Sequence, residues 1–119
     1  MDPELVRACC LAQPGAREEF PFGPDVRVFK VGGKLFAILG DTDVSLKCDP
    51  GYAVVLREQY PGVTPGYHLN KRHWNTIRLD GSVPADVLDE WIEDSYELVF
   101  ASLTRAAQAA VEEAVASSR

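Results

Sequence analysis

A chain of 119 residues, 46% hydrophobic and 25% charged, can bury the core of one compact two-layer domain but is too short for two, and its balance is not that of a disordered or fibrous protein. No apolar run approaches the roughly 20 residues that span a bilayer, and MDPELVRACC carries acids where a secretion signal needs a basic start; a cytoplasmic protein with no membrane partner is expected. The net charge of −6 is uneven: residues 1–25 carry −3, residues 26–79 carry +4 and residues 80–119 carry −7, so an anionic partner would be drawn to the middle of the chain.

Asp2 followed by Pro3 is an N-cap and first-turn signal, and Leu5, Val6, Cys9 and Cys10 recur at helical spacing until Pro14-Gly15, which predicts a helix over about residues 3–12. Three cysteines, two of them adjacent, make neither a disulfide framework nor a C-x-x-C pair; free thiols are expected. Val26 to Val31 and Lys34 to Leu39 are rich in β-branched and aromatic residues around Gly32-Gly33, which predicts a tight hairpin. Gly40 to Asp43 turns the chain again, and Val44, Leu46 and Cys48 alternate with Ser45 and Lys47 as in a half-buried third strand.

Asp49 and Pro50 start a second helix whose buried face is traced by Tyr52, Val55, Leu56 and Gln59, with Pro61-Gly62 as its stop. A strand follows over Trp74 to Leu79, with a short extended piece expected at Tyr67 to Leu69. Pro84 opens the last long helix, whose Leu88, Trp91, Ile92, Tyr96, Val99 and Leu103 form one apolar stripe. Thr104 is placed to cap a separate Ala-rich helix, so residues 1–103 are expected as a single domain and 104–119 as a C-terminal helix or tail. The fold class expected is α+β: an antiparallel sheet with helices on one face, in the order helix, three strands, helix, strand, helix.

Pro65 to Thr76, PGYHLNKRHWNT, gathers both histidines, a Lys-Arg pair, a Tyr and a Trp in one turn-flanked stretch. If Val44, Leu46, Asn75, Ile77 and Leu79 face the helices, then Lys47, Trp74, Thr76 and Arg78 face away, and Arg27 is expected to share that open side. Cations beside rings that can stack on bases suit nucleic acid. The residues also have plainer readings. Tyr67 and Trp74 can close a core edge, the histidines can satisfy loop carbonyls, and Asn70 can hold a left-handed turn. His68 and His73 are five apart, which fits neither a helical ligand pair nor a finger with two cysteines, so no metal or other cofactor is expected. The chain has no G-x-S-x-G, P-loop, G-x-G-x-x-G or H-E-x-x-H, and a non-enzyme is expected.

Through PFGPDVRVFKVGGKLFA, SLKCDP, LREQYPGV, PGYHLNKRHWNTI and LDGSVPADVLDEWIEDSYELV, the chain resembles the MmcQ/YjbR family from its first helix to Leu103. The resemblance implies a fold similar to the frataxin-like and secretion-chaperone-like folds, in α-β(3)-α-β-α order, and DNA binding through hairpins likened to wings, here at Gly32-Gly33 and Gly40 to Asp43. It marks Tyr67, His68, Asn70, Lys71, Arg72, His73 and Trp74 as signature residues. The interface expected is therefore this loop extended by Arg27, Lys47 and Arg78, with DNA as partner. A small-anion or phosphometabolite site on Asn70 to His73 and a protein-interaction adaptor are the alternatives. Frataxin-like iron binding by Asp86, Asp89, Glu90, Glu93, Asp94 and Glu97 ranks last, because such a run is ordinarily a solvated helix face.

Overall fold

The first helix, α1 (Pro3–Leu11), starts where the Asp2 carboxylate accepts a hydrogen bond from the Leu5 N–H and Pro3 occupies the first turn. The computed structural model describes residues 1–118; Arg119, the end of the expected tail, lies outside them. After α1 come strands β1 (Arg17–Glu19), β2 (Arg27–Val31), β3 (Lys34–Leu39) and β4 (Asp43–Lys47), helix α2 (Pro50–Gln59), strands β5 (Val63–Pro65) and β6 (Trp74–Arg78), and helices α3 (Ala85–Ser102) and α4 (Arg105–Ser117). The six strands form one antiparallel sheet in the order β1-β2-β3-β4-β6-β5, and α1, α2 and α3 lie against it. This is the expected α+β class, with two strands more than expected.

Each expected turn has a local cause. Gly32 and Gly33 take φ of 57° and 82°, the left-handed pair that a two-residue hairpin of the right twist demands. Thr104 caps α4 by accepting from the Ala107 N–H. α2 departs from expectation in the face it buries: Ala53 and Leu56 point inward, while Tyr52 and Val55 are exposed. The small Ala53 lets the helix backbone come close enough for its carbonyl to accept from the Asn75 carboxamide of β6 at 3.3 Å.

The core joins Val6 and Cys10 of α1 to Phe29, Phe36, Leu46 and Ile77 of the sheet and Leu88, Trp91 and Ile92 of α3. Phe29 pairs with Ala37 but Lys30 pairs with Leu35, so Phe36 is an extra residue, a bulge that turns two successive side chains of β3 into the core. Ser95 of α3 completes this irregular backbone. Its buried hydroxyl donates to the Phe36 carbonyl at 2.6 Å and accepts from the Lys47 N–H at 2.9 Å. No helix among the described residues is long and apolar enough to cross a membrane.

Glu18 stands opposite Phe29 in the β1–β2 pairing, and Arg7 of α1 grips its carboxylate with two bonds, at 2.6 and 2.9 Å. These bonds hold the Glu18 carboxyl below the usual carboxylate range; burial opposes them, and the charges of Arg7 and Arg27 reinforce them. A carboxyl whose folded pKa is depressed stabilises the fold fully above its unfolded pKa, about 4.3, and loses that contribution as pH falls through the folded value. Glu18→Gln is expected to be less stable than the parent in urea at pH 7. The gap should narrow steadily below about pH 4, and a gap that stayed constant down to pH 2 would refute this account.

Candidate functional site

Beyond Pro65, the Gly66 N–H donates to the Trp74 carbonyl at 2.8 Å and carries the β5–β6 pairing one residue further before the chain turns. Only glycine fits there, because a Cβ would stand 2.7 Å from the Trp74 Cβ and 3.1 Å from its carbonyl oxygen. The left-handed residue of the turn is His68, at φ 57°, and not Asn70, for which the sequence allowed that conformation. Asn70 shapes the turn through its oxygens instead. Its side chain accepts from the Arg72 N–H at 3.0 Å, and its carbonyl accepts from the N–H groups of His73 and Trp74 at 3.2 and 3.0 Å. Across the turn the Lys71 ammonium donates to the Gly66 carbonyl at 3.1 Å, and the His73 carbonyl accepts from the Cys48 N–H at 2.7 Å, tying the loop to the end of β4.

A residue from α2 locks this loop. The Arg57 guanidinium donates to the Asn75 side-chain oxygen at 2.7 Å and to the carbonyls of Lys71 and Trp74. Asn75, nearly fully buried, passes the connection on to α2 through its bond to the Ala53 carbonyl. Neither Arg57 nor Asn75 figured among the expected site residues, although both lie in stretches that carry the family resemblance. An Arg in the last turn of a helix ordinarily reads as solvated charge that suits the helix dipole.

The loop presents Tyr67, 72% exposed, its ring centroid 4.0 Å from that of His68, beside the exposed Lys71 and Arg72. Among the described residues neither of these two cations pairs with a carboxylate. Lys47 stands opposite Trp74 in the β4–β6 register, at the same end of the sheet. The other expected members fall away from this group. Trp74 is only 9% exposed, so its ring belongs to the fold and offers no face for stacking.

Arg27 is not on the side of Lys47. It pairs with Leu39, which pairs with Val44 of the core face, and it forms ion pairs with Glu4 at 3.1 Å and Glu18 at 4.0 Å. The parity of β2 decides this, since Phe29 and Val31 must face the helices and Arg27 shares their side. Arg78 is exposed but sits opposite Asp43, about 13 Å along β6 from Trp74 at the usual strand rise. The face expected to be open and solvated is closed at its centre: Ser45 and Thr76 are buried and their hydroxyls share a 2.8 Å hydrogen bond. The physical reason is the loop itself, which folds back so that the Tyr67 N–H donates to the Thr76 hydroxyl oxygen at 3.0 Å.

Nothing at this site is set up for covalent chemistry through a thiol. Cys9, Cys10 and Cys48 are free; burial pushes Cys10 up to about 12, and burial with the nearby Asp49 and Asp94 pushes Cys48 up to about 11, so both are protonated at neutral pH. Among the described residues no three His, Cys, Asp or Glu side chains gather around a common point that would hold a metal ion.

A family model described as YjbR matches residues 11–98. The chain is 33% identical to the uncharacterized protein YbdF of Escherichia coli O157:H7 over 106 residues, covering 86% of this chain and 87% of that one. It is 38% identical to the uncharacterized protein YjbR of Escherichia coli K12 over 92 residues, covering 74% and 78%. Among solved structures, the crystal structure of Deinococcus radiodurans DR2400, carrying a DUF419 domain, superposes with a TM-score of 0.85 at 39% identity, covering 92% of this chain and 86% of that one. A Pseudomonas syringae crystal structure superposes with a TM-score of 0.73 at 27% identity, covering 83% and 99%.

Proposed function

The chain belongs to the YjbR family, and from that premise we propose that it is a non-enzymatic nucleic-acid-binding domain that contacts phosphates through the turn at residues 67–72. One observation carries the reading: in a chain of net charge −6, Lys71 and Arg72 stand exposed beside Tyr67 with no carboxylate partner among the described residues. The fold uses the backbone of this turn, held by Arg57 and Asn70, and leaves the Arg72 and Tyr67 side chains free. Lys47 adds a third cation at the same end of the sheet. A planar guanidinium and an ammonium suit phosphate oxygens, and an exposed phenol ring suits an unpaired or terminal base.

The interface is smaller than the sequence suggests, because Trp74 and Arg27 serve the fold and Arg78 stands apart. Binding to duplex DNA is therefore expected to be weak and indifferent to sequence, about micromolar or weaker at physiological salt. Each phosphate contact contributes about −0.9 to the slope of log K against log salt, so Lys71→Ala with Arg72→Ala should flatten the slope by up to about 2 and weaken binding to all sequences alike. The measurement is a salt titration against duplex DNA, single strands and heparin. A folded double variant that binds as tightly as the parent with an unchanged slope removes the loop as the site. Equal affinity for heparin and DNA would reduce the reading to generic polyanion attraction.

A further inference from the structure

On the helix side of the sheet, α2 and α3 flank a cleft of about 350 Å³ over β4 and β6. Its floor is apolar, made by Leu46, Ile77, Leu56 and Trp91. The Trp91 ring is already braced edge-on by Tyr60 at a centroid distance of 5.2 Å, so the floor is preformed and does not wait for an occupant. The volume lies at the lower end of the range of small-molecule sites.

The mouth has a different chemistry, with three carboxylates, Asp49, Asp94 and Glu97. Asp49 is partly committed to capping α2 through the Tyr52 N–H, whereas Asp94 and Glu97 form no ion pair among the described residues. The basic residues nearby do not offset them. Lys47 also borders the cleft but alternates with the core-facing Leu46 along β4, and Arg57 is turned toward Asn75 and the loop carbonyls. Asn75 has both ends of its carboxamide engaged, which leaves the cleft short of donors for an anion.

From this geometry we infer that the cleft between α2 and α3 binds a small organic ammonium ion, its apolar body on Trp91 and Ile77 and its charge between Asp94 and Glu97. Partial desolvation at the rim of the cleft, with Glu90, Glu97 and Glu93 around it, holds the Asp94 carboxyl above its ordinary range, so a bound cation relieves the repulsion among these carboxylates. The Cys48 thiol beside the mouth is protonated at neutral pH and offers no competing anion.

The test is an NMR titration of the isotope-labelled full chain with three probes of one shape: 2-phenylethylamine, 2-phenylethanol and 3-phenylpropionate. The amine should bind about tenfold more tightly than the alcohol, as two partly exposed carboxylates allow, and the propionate least, with shifts centred on Ile77, Trp91 and Leu98. Asp94→Asn with Glu97→Gln should bring the amine to the level of the alcohol while leaving the alcohol unchanged. Both side chains are exposed, so this variant keeps the fold. Ala101 of α3 also lines the cleft, and Ala101→Trp, which fills it, should abolish all three. Equal binding of amine and alcohol by the parent, a preference that survives in the double variant, shifts centred elsewhere, or no binding at millimolar probe would each overturn the assignment.

Discussion

Arg57→Ala is expected to lower stability by about 2–3 kcal/mol and to loosen residues 66–73 out of proportion to the rest of the chain. The Asn75 side-chain oxygen, nearly fully buried, would lose its charged donor, and the Lys71 and Trp74 carbonyls would lose theirs as well. The Lys71 carbonyl lies at the exposed end of this network and Asn75 at its buried end, which places most of the loss at Asn75. Urea denaturation gives the magnitude, and amide hydrogen exchange gives the location. Arg57→Lys should recover only part of the loss, because an ammonium cannot reproduce the planar fork that meets Asn75 and the carbonyls together. Exchange that rose evenly over the whole domain would show that Arg57 supports α2 and not the loop.

A larger loss, about 3–5 kcal/mol, is expected for Phe36→Ala. The ring is fully buried, tilted against Phe29 at 6.4 Å and edge-on to Tyr96 at 5.5 Å, and its backbone is fixed at the bulge by Ser95. That tether keeps β3 from moving inward, so the cavity stays open and the cost lies toward the top of the range. A domain of this size has only about 5–15 kcal/mol in total, so the variant should be near the edge of folding at 37 °C. Phe36→Leu should cost markedly less. Chemical denaturation at 25 °C distinguishes the cases, and a loss below 1 kcal/mol for the alanine variant would mean that the core relaxes around the bulge.

What the sequence made legible was whatever is decided within a few residues. The Gly32-Gly33 hairpin, the caps at Asp2, Asp49 and Thr104, and the stripe of α3 were all readable from local spacing, and all are present. β1 escaped because Arg-Glu-Glu has no apolar alternation and its Glu18 is turned inward by Arg7, eleven positions away. β5 escaped because it is three residues long and ends in proline; the extended piece expected at Tyr67 to Leu69 is instead a turn. The site was legible as a stretch of sequence but not as a surface. That Trp74 is buried, that Arg27 lies across the sheet and that Arg57 holds the loop depend on strand register and on helix placement, which no local pattern encodes.

The two outermost strands have a consequence for how this domain meets other copies of itself. Each is three residues long; β1 is wholly charged and β5 ends in Pro65, which has no N–H to donate. A neighbouring chain seeking to continue the sheet would find too few free backbone groups to hold it, flanked by charge on one side and a missing donor on the other. Six strands are thus assembled without leaving a template for open-ended polymerisation, so self-association at high concentration should proceed through side chains and remain limited in size.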